Sequence, residues 1–234
     1  MRRLTLTLAA PDQAARALSV DVQEVLLAGY TGRDRARVAE HIRELATLGV
    51  APPARVPAVY TVPPALLTTE ATIAASPAYT SGEAEFFLLP RQDGEVLVGA
   101  GSDHTDRQHE AIDVDESKAR CPKPVCPLLW RYADLRDHWD RLELRSWITG
   151  PHAGAGRLYQ EGRLAALLPV EDLLQEVRAA GHPQLQHRIV FGGTLPTIGG
   201  LAFGHHFAVE LYDPVLDRRL TCAYDVTGSP EDAR

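Results

Sequence analysis

Seventeen prolines and eighteen glycines are scattered along this 234-residue chain. Neither residue suits a helix interior. Proline removes a hydrogen-bond donor and clashes with the preceding turn, and glycine loses the most backbone entropy on folding. That distribution argues against a bundle of long helices and predicts many short strands joined by loops. Hydrophobic residues make up 45% and charged residues 24%, a balance ordinary for a soluble globular protein, and the length allows one sizeable domain or two small ones. The formal charge of -7 argues against a nucleic-acid partner. No apolar run reaches the length of a membrane span. The opening MRRLTLTLAAPDQ begins like a leader, but Asp12 and Gln13 cut its apolar stretch short. It reads instead as the first strand of a cytoplasmic protein.

Local patterns place the elements. LTLTL at 4–8 alternates as a strand does, and VDVQEVLLAGY at 20–30 reads as a second strand. In TGRDRARVAEHIRELATLG, Thr31 is the expected cap, Asp34 follows three residues on, and Val38, Ile42, Leu45 and Leu48 form an apolar stripe ended by Gly49. The following VAPPARVPAVYTVPPALL predicts an extended strap. GEAEFFLLP and GEVLVGAG read as a hairpin turning at Asp93-Gly94. A second helix is expected from Val170 to Ala180, and strands in LELRSWITG, RIVFGGT and HHFAVELYDPVLDRRLTCAYDV. Residues 227–234 read as a flexible tail. Cys121 and Cys126 in CPKPVC lack the further ligands that zinc needs, and Cys222 is distant, so buried thiols are expected.

Carboxylates carry the chemical signal. Glu83 and Glu85 are two apart, so on a strand they share a face. Asp103 follows the hairpin return and can reach the same end of the sheet. Three converging carboxylates suit Mg²⁺ or Mn²⁺. The bland alternative leaves Glu83 in solvent at a strand edge and Asp103 capping a turn. His41 and Glu44, three apart on the first helix, are neighbours. They suit a carboxylate-oriented general base, or only a surface pair. Lys118 and Arg107 are the candidate cations. FGGTLPT can present backbone N–H groups and Thr194 to an anion. No phosphate-binding loop, G-x-G-x-x-G fingerprint or G-x-S-x-G elbow is present.

In chain order these pieces resemble the fumarylacetoacetate hydrolase superfamily over roughly residues 25–224. AEHIRELATLGVAPPARVP is similar to that family's lid segment, GEAEFFLL to its E-x-E metal strand and GSDHTDR to its N-D-x-[ST]-x-R segment. ESKARCPKPVCPLLW places Lys118 as the family's lysine. RLYQEG supplies Gln160, and FGGTLPT supplies Gly193, Thr194 and, after an inserted Leu195, Pro196. The nearest likeness is to a bacterial branch sharing the GSDHTDR string. His104 and Asp106 depart from the family pattern, as does the missing glycine-rich close of the last strand.

The resemblance implies an α+β fold, a mixed β-sheet roll of the fumarylacetoacetate hydrolase C-terminal-domain type with peripheral helices. Residues 1–24 would be a short β element packed on a catalytic domain at 25–226. It implies Glu83, Glu85 and Asp103 as ligands of Mg²⁺ or Mn²⁺, and His41, Glu44, Lys118, Gln160 and Thr194 as catalytic residues. Arg107, His104 and Gly193 would contact a small keto acid substrate. The implied reaction is hydrolysis of a carbon–carbon bond in a β-diketo acid or related 2-oxo acid. A decarboxylase, hydratase or isomerase would use the same metal–enolate site. A metal-free binding protein on the same fold is the non-enzymatic alternative. A homodimer is expected, without nucleic-acid or membrane partners, with aromatic residues around Tyr60, Trp130 and Trp139 available to an interface.

Overall fold

The computed structural model describes residues 1–11, 13–47, 49–150 and 154–228. Its strands are β1 (Arg2–Ala10), β2 (Gln13–Val22), β3 (Glu24–Gly29), β4 (Ala58–Val62), β5 (Leu67–Thr68), β6 (Thr72–Ile73), β7 (Thr80–Ser81), β8 (Ala84–Pro90) and β9 (Val96–Ser102). They continue with β10 (Thr105–Asp106), β11 (Lys123–Pro124), β12 (Leu128–Arg131), β13 (Glu143–Gly150), β14 (Gly154–Arg163), β15 (Arg188–Thr194), β16 (His206–Asp213) and β17 (Arg218–Val226). The helices are α1 (Arg35–Thr47), α2 (Arg107–Glu110), α3 (Val114–Ala119) and α4 (Val170–Ala179).

An eight-stranded mixed sheet runs β2-β1-β12-β9-β8-β15-β3-β4. A five-stranded sheet, β14-β13-β16-β17-β6, packs across β8 and β9. The expected α+β class is the observed one. Covered on both faces, β8 is buried at every residue and reads as a continuous apolar run rather than an alternating one. Phe86 meets Trp139 edge-on, and Phe87 packs on Phe191. Gly99, opposite Phe87, is what lets that ring lie flat, because a Cβ there would fall 2.0 Å from it. Where only one face is covered the pattern alternates: Leu4, Leu6 and Leu8 of β1 point inward.

Several local expectations are corrected. The stretch 20–30 is two strands, because the chain bends at Gln23 between β2 and β3. Asp34 caps α1, accepting from the N–H groups of Ala36 and Arg37. Thr31 is buried instead and donates to the Gly192 carbonyl at 2.8 Å. Val38, Ile42 and Leu45 are half-buried, α1 has no buried residue, and Leu48 lies outside the described residues. By contrast α4 buries Val170, Leu173, Leu174 and Val177. Trp130 and Trp139 fill the core of this chain, 1% and 4% exposed, so neither is available to an interface. The three cysteines are free and buried, as expected. Of the expected tail, Thr227 donates its N–H to the Ile73 carbonyl, and residues 229–234 lie outside the described residues. Among the described residues no helix is long and apolar enough to cross a membrane.

Candidate metal centre

The β8–β9 hairpin aligns the carboxylates. Ala84 pairs with Ser102, which sets Glu83 opposite Asp103, and the Asp103 N–H donates to the Glu83 carbonyl at 3.0 Å. Glu85 lies two residues on, on the same face. Ligand oxygens of Glu83, Glu85 and Asp103 all lie within 4.8 Å of one another. Among the described residues this is the one cluster of three such groups.

Each carboxylate is held differently. Asp103 is 1% exposed and takes Lys118 Nζ on Oδ2 at 2.5 Å and Lys123 Nζ on Oδ1 at 3.0 Å. Against the opposing effect of burial, these two ammonium groups hold its carboxyl below the usual range. Glu83 faces Arg107 Nη2 at 3.0 Å and Lys118 Nζ at 3.5 Å. Burial opposes ionisation there too, yet Arg107 and Lys118 lower its pKa. Glu85 accepts the Gly193 N–H at 2.7 Å and has no ion pair among the described residues. Burial, reinforced by Asp103 and Glu83, raises its pKa well above the ordinary carboxylate value. The basic groups match much of the charge on Asp103 and Glu83 and leave Glu85 unmatched. Three converging hard oxygen donors, one without a countercharge, fit a divalent cation of the Mg²⁺ or Mn²⁺ kind.

The remaining predicted residues take specific places. The anion that FGGTLPT presents its backbone to is the Glu85 carboxylate. Gly193 makes this possible with φ +92°, where a Cβ would meet Thr31 Oγ1 at 2.0 Å. Gln160 is wholly engaged by protein. Its Oε1 accepts from Ala84 N and Ser146 Oγ, and its Nε2 donates to Thr194 Oγ1 and the Leu195 carbonyl. Thr194 donates to the Ala84 carbonyl. Both brace the strand that carries Glu85, and these hydrogen bonds engage the side-chain groups that were expected to meet substrate charge. Arg107 donates from Nε to Ser81 Oγ at 2.7 Å and from Nη1 to both Glu110 oxygens. With Glu83 on Nη2, its nitrogens already serve the protein.

His104 turns away from the carboxylates. Its ring is 0% exposed, hydrogen-bonded to Thr80 and Tyr224 and set edge-on to Phe207. Burial pushes its pKa well down, which fits a neutral ring packed in the core rather than one open to a small ligand. Asp106 caps α2 through Gln108 and His109 and pairs with Arg120. His41 and Glu44 pair at 3.6 Å on the outer surface of α1 and do not touch the carboxylates. The Tyr30 ring lies 6.4 Å from that of His41. Lys118 Nζ lies 5.7 Å from the Tyr60 ring centroid.

Sequence reasoning missed Lys123, which is 0% exposed and also donates to the carbonyls of His104 and Lys118. A lysine between prolines in an apolar context was its signal, obscured by the flanking cysteines. It also missed Tyr30, whose positive φ of 59° marks strain at the end of β3.

Comparison with known proteins follows this geometry. A sequence family described as "Protein of unknown function (DUF2848)" matches residues 28–224. The chain belongs to the DUF2848 family. No curated protein matches it. Solved structures sharing the DUF2848 chain's fold include a candidate fumarylacetoacetate isomerase/hydrolase from Oleispira antarctica. That one has 18% identity and TM-score 0.65, covering 94% of this chain and 99% of that one. A candidate fumarylpyruvate hydrolase from Burkholderia cenocepacia is 20% identical with TM-score 0.64, covering 98% and 97%. A 2-keto-3-deoxy-D-arabinonate dehydratase is 18% identical with TM-score 0.63, covering 93% and 77%. The DUF2848 chain thus has the fold of fumarylacetoacetate hydrolase-family proteins.

Proposed function

We propose that this protein is a divalent-metal-dependent hydrolase that cleaves a carbon–carbon bond in a β-diketo acid or related 2-oxo acid. The observation that carries the reading is the convergence of Glu83, Glu85 and Asp103 within 4.8 Å, beside Lys118. The fold shared with proteins described as a candidate fumarylacetoacetate isomerase/hydrolase and a candidate fumarylpyruvate hydrolase supports it. We also place the chain in the bacterial branch of that superfamily marked by GSDHTDR.

In this reading Glu83, Glu85 and Asp103 hold Mg²⁺ or Mn²⁺. A bound ion of that kind supplies a Lewis acid for the 2-oxo-carboxylate end of the substrate. Lys118, at the edge of the cluster, offers its ammonium to developing enolate charge. Gly193, Gln160 and Thr194 keep β8 and Glu85 in place, and Arg107 orients Glu83. His41, paired with Glu44, takes the proton of the attacking water once α1 closes over the site. The absence of buried residues in α1 suits such a movement.

A second reading, as a dehydratase, decarboxylase or isomerase, is favoured by one observation. Lys118 contacts the cluster whereas His41 does not. Chemistry through an enolate without activated water needs only the former. Co-crystallisation with Mg²⁺ and oxalate tests the shared site: a metal bound elsewhere, or none, would sink both readings and leave a metal-free binding protein. Product analysis with Lys118→Met and His41→Ala on a panel of diketo acids and 2-oxo acids separates the two.

A further inference from the structure

We propose that Tyr60 is a positioning residue of this site: the face of its ring holds the Lys118 ammonium beside the carboxylate cluster. The inference rests on the metal-chelate reading above and deepens it.

Lys118 leaves the last turn of α3 on a long, flexible stem. Among the described residues its Nζ meets two carboxylates and one ring. The carboxylates are Asp103, with Oδ2 at 2.5 Å, and Glu83, with Oε2 at 3.5 Å. The ring is that of Tyr60, whose centroid lies 5.7 Å away. That is within the roughly 6 Å over which an aromatic face attracts a cation. The Lys118 side chain is only 9% exposed, so water does little to weaken the attraction.

Asp103 and Glu83 are also the proposed ligands of a divalent cation. An oxygen committed to such an ion has less charge to offer an ammonium. The Tyr60 ring is the contact of Nζ that the ion does not share. Without it the lysine stem would regain rotamer freedom at the moment its charge must be placed.

Tyr60 is itself well fixed. It lies in β4, opposite Leu27 of β3, and packs against the core. Its ring passes close over Gly29, where a Cβ would stand 3.2 Å from Cε2. An aromatic side chain has few torsions to lose, so a ring pinned in this way gives the ammonium a set position.

The test is calorimetry on the whole protein with Mg²⁺ and oxalate. Tyr60→Leu should weaken oxalate about fivefold to tenfold and leave binding of Mg²⁺ alone within about twofold. Tyr60→Phe keeps the ring face and should stay within about twofold of the native protein for both. In a Lys118→Met background Tyr60→Leu should cost nothing further, because the contact it removes is already gone. Equal losses in the two backgrounds would overturn the inference and leave Tyr60 a packing residue. A loss in Tyr60→Phe as large as in Tyr60→Leu would overturn it in favour of the hydroxyl. If Tyr60→Leu does not fold, NMR of the protein with Mg²⁺ and oxalate decides. The ε-methylene signal of Lys118, assigned by its loss in Lys118→Met, should be shifted upfield by the ring and remain so in Tyr60→Phe, and an unshifted signal overturns the inference. If oxalate binds and Tyr60→Leu costs nothing, this inference alone fails. If oxalate does not bind the native protein, the metal-chelate reading fails and takes the inference with it.

Discussion

Asp103 carries two buried ammonium groups, so replacing it does more than delete a metal ligand. Asp103→Ala would strand Lys118 and Lys123 without their carboxylate, a loss of about 3–5 kcal/mol for a broken buried pair. Asp103→Asn keeps the shape and is the better probe. It should fold with a lowered Tm and lose Mn²⁺ affinity by at least about tenfold in calorimetry, and unchanged affinity would remove Asp103 from the ligand set. Glu85 behaves in the opposite sense. Its carboxyl is held well above its ordinary value of 4.5, so above that pH the folded chain keeps a proton that the unfolded chain has released. Its contribution to stability therefore falls as pH rises from 4.5 through the raised folded value. A cation competes with that same proton. Mn²⁺ binding should tighten as pH rises and should release a proton, read as a heat that depends on the ionisation enthalpy of the buffer. A pH-independent affinity would exclude Glu85. The convergence of the E-x-E pair and Asp103 was legible in the sequence because strand periodicity and a short hairpin fix it locally, whereas Lys118 was reached through the family resemblance. Lys123, Glu110 and the engagement of Gln160 were not, since each depends on partners brought from other elements.

At the level of elements, α1 and α4 form an instructive pair. Both show helical periodicity, yet α4 buries four residues and α1 none. Hydrogen exchange should therefore open α1 well before α4, and equal protection would remove the basis for a closing helix. If His41 activates water from that helix, His41→Ala should lower kcat by roughly 100-fold while Mn²⁺ affinity stays unchanged. Full turnover by the variant would return His41 to a surface ion pair. Periodicity reveals which side of a helix is apolar but not how deeply that side sinks, and so the sequence did not distinguish the two. The cap moved from Thr31 to Asp34 for a related reason. The Thr31 hydroxyl is claimed by Gly192, on a strand that no local pattern places beside it.

For the molecule as a whole, the apolar run of β8 and the alternation of β1 made the sheets legible, while their order depends on pairings distant in sequence. The expectation of a homodimer now has to rest on surfaces other than the tryptophans. Ile198 and Leu201 in the loop after β15, 44% and 52% exposed, are apolar side chains that a second copy would cover. Light scattering should report twice the chain mass of 25.6 kDa. A monomer with full activity would show that pairing is not required.

The bond from Gly193 N–H to Glu85 spans 108 positions in the sequence, and the one from Thr31 to Gly192 spans 161. During synthesis, therefore, the glutamates emerge from the ribosome long before the strand that secures them. Nascent chains ending before β15 should expose the apolar β8 edge and engage chaperones. Refolding of the full chain should be slow for its size, because the costliest loops must close before the centre exists.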